Sequence, residues 1–416
     1  MAFTILSWNV ETFGETKLGA IDNVVTKVIQ RANADLIFIL EGTTKAQTDV
    51  ATRIGALLAQ TTGQDWFAFG SDPTGKSQPL PPVIPEDSWP KRCDLDAYRE
   101  DLLRSYDENI VGFELKPPAQ RDPNEEAFTR EALERAGLIR RDLETYSAFF
   151  RYDPALWNDG KGSLVALGSW VALWKARPGD LINWNSQGVD IGYATPGSGF
   201  NGRNPYVANV YFADPANPAN VLAWFPIACF HAPFGDKMEP RAKANAGLLN
   251  LATRTVGGQW VDLSLQDQAA VCGDFNISFD PHENFSGLTN PIPADKSWNA
   301  QSYGAFAAAG FKIAISELTS LKAVNQNLEP VTNPREFRSS AYDNVMVHST
   351  GGRVGAGVGT VIDLVADVYQ ATHGGNYLTG VPGLPNSQRP YDAFAFVRKN
   401  VSDHLPVTCA LQVAER

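Results

Sequence analysis

Residues 35–41 read DLIFILE. The unbroken apolar run from Leu36 to Leu40 has no polar face, so it predicts a strand covered on both sides at the centre of a sheet. Glu41 ends the run, and a carboxylate that close to a buried strand needs a partner. Upstream, residues 3–8 predict a first strand that stops at Asn9, a residue type depleted in strands, and a polar loop follows (NVETFGETK, 9–17). Ile21, Val24, Val25, Val28 and Ile29 form the i, i+3, i+4, i+7, i+8 stripe of an amphipathic helix over 20–33. Another helix is expected within 44–61.

Strand character recurs at 146–152, 163–174, 205–212, 221–230, 269–275, 342–348 and 401–413, with a helix at 239–255. Residues 71–92 are rich in Pro, Gly and Ser and read as a loop. Two helices follow: one carries Leu95, Tyr98, Leu102 and Tyr106 on one face. The other is capped by Asp122, Pro123 and Glu125 and closed by Gly137. Residues 72–140 therefore read as a helical insertion within a single domain spanning 1–416. The Gly-rich segments 155–202 and 349–400 are expected to be long loops. Strands with helices between them fit an α+β sandwich of two sheets flanked by helices, with parallel α/β as the rival.

The chain has 416 residues, 44% of them hydrophobic, and a formal charge of −11. That acidity argues against a protein that grips nucleic acid mainly by counterion release. It leaves open an enzyme whose acidic pocket holds a divalent ion. No apolar stretch reaches the length of a membrane span, so no membrane association is expected. The N-terminus has no basic n-region or apolar h-region, which predicts a cytoplasmic protein, a trimmed secreted domain being the alternative. Cys93, Cys229, Cys272 and Cys409 form no CxxC pair, and three of them lie in apolar runs, as buried free thiols do. No obligate protein partner is evident.

Polar residues stand where the strands stop: Asn9, Glu41, His231, Asp274 with Asn276, Asp343, and Asp403 with His404. Strand tips are rigid, so groups held there can converge on one cleft. Carboxylates with amide oxygens suit Mg²⁺, Mn²⁺ or Ca²⁺ better than zinc, and histidines beside carboxylates suit acid–base work near neutral pH. In order, the blocks are SWN (7–9), LIFILE (36–41), CFH (229–231), GDFN (273–276), YDN (342–344) and SDH (402–404). This ordered set resembles the endonuclease/exonuclease/phosphatase superfamily, and within it the deoxyribonuclease I family most.

The resemblance implies a four-layer α/β/β/α sandwich and metal-dependent hydrolysis of a phosphodiester, with DNA as the expected substrate. It makes Glu41 the main ligand of Mg²⁺ or Mn²⁺, Ca²⁺ being the third option, with Asn9 and Asp403 close by. It gives Asp274 and Asn276 the scissile phosphate and the attacking water. It pairs Asp343 with His404 and Glu144 with His231, one histidine activating water and the other protonating the leaving oxygen. Arg203 would brace the phosphate. Three DNA-contacting positions depart from the family: Glu11 and Thr43 replace arginines, and Asp142 replaces a tyrosine. A phosphatase or phosphodiesterase of the same fold, acting on a small phosphate ester or lipid headgroup, is the alternative function.

Overall fold

The computed structural model describes residues 2–14, 17, 19–43, 47–70, 144–152, 164–167, 170–175, 200, 203, 205–214, 217–235, 237–254, 260–322, 337–350, 354–373 and 391–413. The chain divides into a unit of Met1–Pro73 with Glu144–Arg416 and a second unit, Thr74–Leu143. The second unit, and with it the insertion expected over 72–140, lies outside the described residues.

Strands β1 (Ala2–Phe13), β2 (Leu36–Thr43), β3 (Asp65–Gly70) and β4 (Glu144–Tyr152) lead the chain. They are followed by β5 (Leu164–Leu167), β6 (Trp170–Lys175), β7 (Tyr206–Asp214) and β8 (Asn217–His231). Then come β9 (Ala252–Arg254), β10 (Trp260–Asp262), β11 (Gln268–Asp274) and β12 (Lys312–Ile313). The last are β13 (Asp343–Ser349), β14 (Val354–Val361) and β15 (Val407–Val413). One sheet has the order β14-β15-β1-β2-β4-β3 and the other β12-β13-β11-β8-β7. Both are mixed. Among the described residues only β1/β2 and β8/β11 pair in parallel, so the parallel α/β rival is overturned.

The run at 36–40 is central, with β1 and β4 on its two sides. Its side chains alternate between two apolar layers: Leu36, Phe38 and Leu40 join the core shared with the five-stranded sheet. Ile37 and Ile39 join Val25, Ile29, Ile54 and Leu58 of the helices Asp22–Ala32 and Gln47–Thr62. All five side chains of the run are fully buried. Each contributes about 1.5–3 kcal/mol relative to an exposed site, which holds the strand under its helices. The same alternation runs along β1: Phe3 and Ile5 face the shared core, while Leu6 and Trp8 face the helices. The cysteines Cys229, Cys272 and Cys409 are free and buried in that shared core.

Several expectations fail: the first strand does not stop at Asn9 but runs on to Phe13, and the last begins at Val407 rather than at 401. The segment 349–400 is not a long loop in its described parts, because β14 and the helices Leu364–His373 and Tyr391–Phe396 lie there. Its glycines mark close approach instead: a Cβ on Gly359 would sit 2.6 Å from the Ala314 carbonyl oxygen. The helix expected over 239–255 ends at Gly247, and a 3-10 turn then leads into β9.

Candidate active site

Three strand tips of the five-stranded sheet lie in register. Asp274 of β11 is the Cα partner of His231 on β8 and of Asp343 on β13. The preceding glycine is obligatory there: Gly273 has φ +134°, and a Cβ would meet the Phe230 carbonyl oxygen at 1.9 Å. The six-stranded sheet supplies the facing side, since β1 lies against β11 and β13. Asn9 pairs with Leu40, and the β1/β2 register then breaks, so Glu41 leaves the ladder with φ +60°. Asn276, at φ +51°, also takes this left-handed conformation. Non-glycine residues are rare in that region, and here they aim polar side chains into one cleft.

The Asp274 carboxylate is the hub, buried to 1% exposure. Its Oδ2 accepts from Asn9 Nδ2 at 3.2 Å and lies 3.6 Å from His231 Nε2 and 3.5 Å from His404 Nε2. Its Oδ1 accepts the Asn276 backbone N–H at 2.9 Å. Asn9 Nδ2 also donates to Glu41 Oε1 at 2.9 Å, and that oxygen lies 3.7 Å from His231 Nε2. Glu41 Oε2 in turn accepts the Thr12 N–H at 3.1 Å. Asn9 was expected beside the ion as a ligand. Its side-chain carbonyl oxygen accepts the Glu11 N–H at 3.0 Å, and its amide nitrogen faces the carboxylates. Asn9 is both a turn residue and a clamp joining the two sheets' carboxylates.

The two histidines have opposite surroundings. His404 Nδ1 donates to Asp343 Oδ2 at 2.7 Å, and Thr319 Oγ1 donates to the same oxygen at 2.7 Å. Burial by itself would lower the His404 pKa, but Asp343, with Asp274 and Asp403, raises it well above 6.5. His231 Nδ1 lies 2.8 Å from Arg203 Nη1. A guanidinium can only donate, so this contact is satisfied when Nδ1 carries its lone pair and the proton sits on Nε2. Burial, reinforced by Arg203, lowers the His231 pKa to about 4 despite Asp274 and Glu41. Arg203, expected on the phosphate, thus also sets the state of a histidine. Glu144, expected to orient His231, heads β4, but its side chain lies outside the described residues.

Asp403 Oδ1 lies 3.8 Å from His404 Nε2, and its Oδ2 lies 3.3 Å from Arg398 Nη2. Arg398 also reaches Glu11 at 3.3 Å, so a cation from the 349–400 segment stands beside this acidic residue of the first loop. Lys17 Nζ donates to the carbonyls of Val10, Glu11 and Val401, tying the first loop to the residues before SDH. Ser402 adds a second tie, donating to the Asn9 main-chain carbonyl at 2.7 Å and accepting the His404 N–H at 3.0 Å. Tyr146, unremarked in the sequence, accepts the His231 backbone N–H through its hydroxyl at 3.0 Å. Thr319, Arg398 and Lys17 have no motif around them that singles them out. Asn276 Nδ2 donates to the Ala232 carbonyl at 2.9 Å, bracing the loop after His231.

The residues fit a hard divalent cation. Oxygens of Glu41 and Asp274 share one amide donor and both approach the same imidazole, a crowding of like charge that such an ion relieves. Among the described residues, ligand atoms of Asp274, Asp343 and His404 lie within 4.8 Å of one another. Within that group Asp343 Oδ2 and His404 Nδ1 are bound to each other.

No family model and no curated protein matches the chain. Among solved structures it is similar to an endonuclease/exonuclease/phosphatase from Beutenbergia cavernae DSM 12333, at 12% identity and a TM-score of 0.39, covering 99% of this chain and 72% of that one. It is similar to D. rerio TDP2 complexed with a single-strand DNA product, at 11% identity and a TM-score of 0.40, covering 99% of both chains. A third is a mannosyl-6-phosphatase from Bacteroides thetaiotaomicron VPI-5482, at 12% identity and a TM-score of 0.37, covering 98% of this chain and 99% of that one. Similarity at this level transfers no activity or substrate.

Proposed function

We propose that this chain is a phosphodiester hydrolase of the endonuclease/exonuclease/phosphatase type, dependent on Mg²⁺ or Mn²⁺, that cuts DNA internally, and that its layers form an α/β/β/α sandwich. One observation carries the reading: Asn9, His231 and His404, from three separate blocks, converge within 3.6 Å of a single Asp274 oxygen. In-line displacement at phosphorus needs an oriented water, a stabilised phosphoryl oxygen and a protonated leaving group.

Glu41, Asp274 and Asp403 would hold the cation, which when bound polarises a phosphoryl oxygen. Asp274, pinned by the Asn276 N–H and the Asn9 amide, orients the attacking water and accepts its proton as the bond to phosphorus forms. His404 carries a proton at Nε2 toward the leaving oxygen, and Asp343 keeps its ring oriented and charged, with Thr319 holding Asp343 in place. His231, with its proton on Nε2, donates a hydrogen bond to the phosphoryl group, and Arg203 maintains that tautomer. The histidine roles are therefore unequal.

The test is nicking of supercoiled plasmid by the full chain with Mg²⁺ or Mn²⁺. EDTA is expected to abolish it, and His404→Ala and Asp274→Ala to reduce it to background. Full nicking by those variants overturns the assignment of roles. Release of inorganic phosphate from monoesters with no attack on plasmid assigns the site to a phosphatase instead.

A further inference from the structure

Phe234 lies three residues after His231 and is 57% exposed, in contrast to the buried His231–Ala232–Pro233 before it. The Arg203 guanidinium sits over its ring, 4.7 Å from the centroid. That guanidinium is also 2.8 Å from His231 Nδ1, so one side chain links the exposed ring to the reaction centre. The loop beneath the ring is held at both ends. The Ala232 N–H donates to the Asp274 carbonyl at 2.8 Å, and Arg241 donates to the Gly235 carbonyl and, at 2.7 Å, to the Asn276 carbonyl. An aromatic ring with one face under a cation and its loop anchored loses little entropy on binding a second planar group.

We propose that Phe234 is a substrate-specificity residue that stacks against an unpaired nucleobase adjoining the scissile phosphate, so that the site prefers single-stranded or locally opened nucleic acid over intact duplex. The inference rests on the phosphodiesterase reading above and adds the strandedness of the substrate. Bases inside a duplex are already stacked and offer no face to a ring, whereas single strands do. The charge balance points the same way. A chain of formal charge −11 draws little affinity from long-range attraction of the phosphate backbone. Stacking is the neutral source of affinity that such a surface can use.

The experiment compares the full-length protein with F234A and F234W on two substrates of equal length, an oligo(dT) strand and a fully abasic strand, in Mn²⁺. F234A is expected to raise KM on oligo(dT) about tenfold with kcat retained. It should leave cleavage of the abasic strand unchanged, and F234W should restore oligo(dT) binding. Equal effects on both substrates, or none on either, overturn the proposal while leaving the nuclease reading intact. Wild-type protein that cuts plasmid but neither strand overturns it too. Wild-type protein that cuts no nucleic acid overturns the nuclease reading itself.

Discussion

The tip of β8 and the turn leading into β15 present the same residue type in opposite environments. Before β15, His404 is set among carboxylates: Asp343 at Nδ1, with Asp274 and Asp403 near Nε2. At β8, His231 has its Nδ1 against a guanidinium. Both rings are buried, so desolvation acts on both, and the difference comes from the charge at Nδ1. One imidazole is driven toward the cation and the other toward the neutral form. A pair whose environments push protonation apart is how one site separates proton transfer from hydrogen bonding at a single pH.

The sharpest way to break this comparison is kinetic. His404→Ala should lower kcat about 10²–10⁴-fold in single-turnover nicking, the range for losing a positioned acid. His231→Gln keeps a donor near the same place and should cost only about tenfold, the loss of one weakened hydrogen bond. Equal losses would show that the two histidines are equivalent and that Arg203 does not separate them.

A second test reads the same asymmetry through stability, in EDTA, by urea unfolding across pH. His231 has a folded pKa of about 4, below its ordinary value near 6.5. The unfolded chain therefore binds a proton that the folded one refuses, and stability falls as pH drops from about 6.5 toward 4. For a shift of that size the loss is about 3 kcal/mol, and His231→Gln should flatten it. His404 has the opposite sign, since its folded pKa is raised. Its contribution is full below about pH 6.5 and is lost as pH rises through the raised value, so His404→Gln should flatten the alkaline side. Matching pH slopes for the two variants would contradict the opposed environments.

The smallest expected effect concerns the support of one dyad. Thr319→Val removes the hydroxyl shared by the Asp343 carboxylate and the Asp343 N–H. It should cost about 1 kcal/mol of stability by urea midpoint and lower kcat more than it raises KM. A change in KM alone would place Thr319 outside the His404 unit.

Much of the site was legible because strand tips leave a local signature: an apolar run followed at once by an unexpected polar residue. Glu41, His231 and Asp274 show it, Asp343 and His404 show its mirror image, a polar residue just before an apolar run, and the order of all five pointed to one family. The central strand 36–40 was equally plain, since five apolar residues in succession admit few alternatives. What could not be read has no such signature. Arg203 lies in a loop without periodicity, and nothing local says whether its guanidinium meets a phosphate or His231. Thr319, Lys17 and Arg398 reach the site only through tertiary contact. In 354–361, VGAGVGTV, alternate glycines imitate a loop, although they mark a strand packed closely on its neighbours.

The sequence by itself determined the strands, the chemical inventory at their ends and the kind of ion those oxygens suit, because periodicity and residue chemistry are local properties. The tertiary structure decided how the inventory is divided. It turned the Asn9 carbonyl to the Glu11 N–H and its amide to two carboxylates, brought Arg203 to one histidine and Asp343 to the other, and left Phe234 exposed beside them. Protonation, tautomer and exposure depend on which charges and surfaces lie within a few ångströms, and those neighbours come from distant parts of the chain.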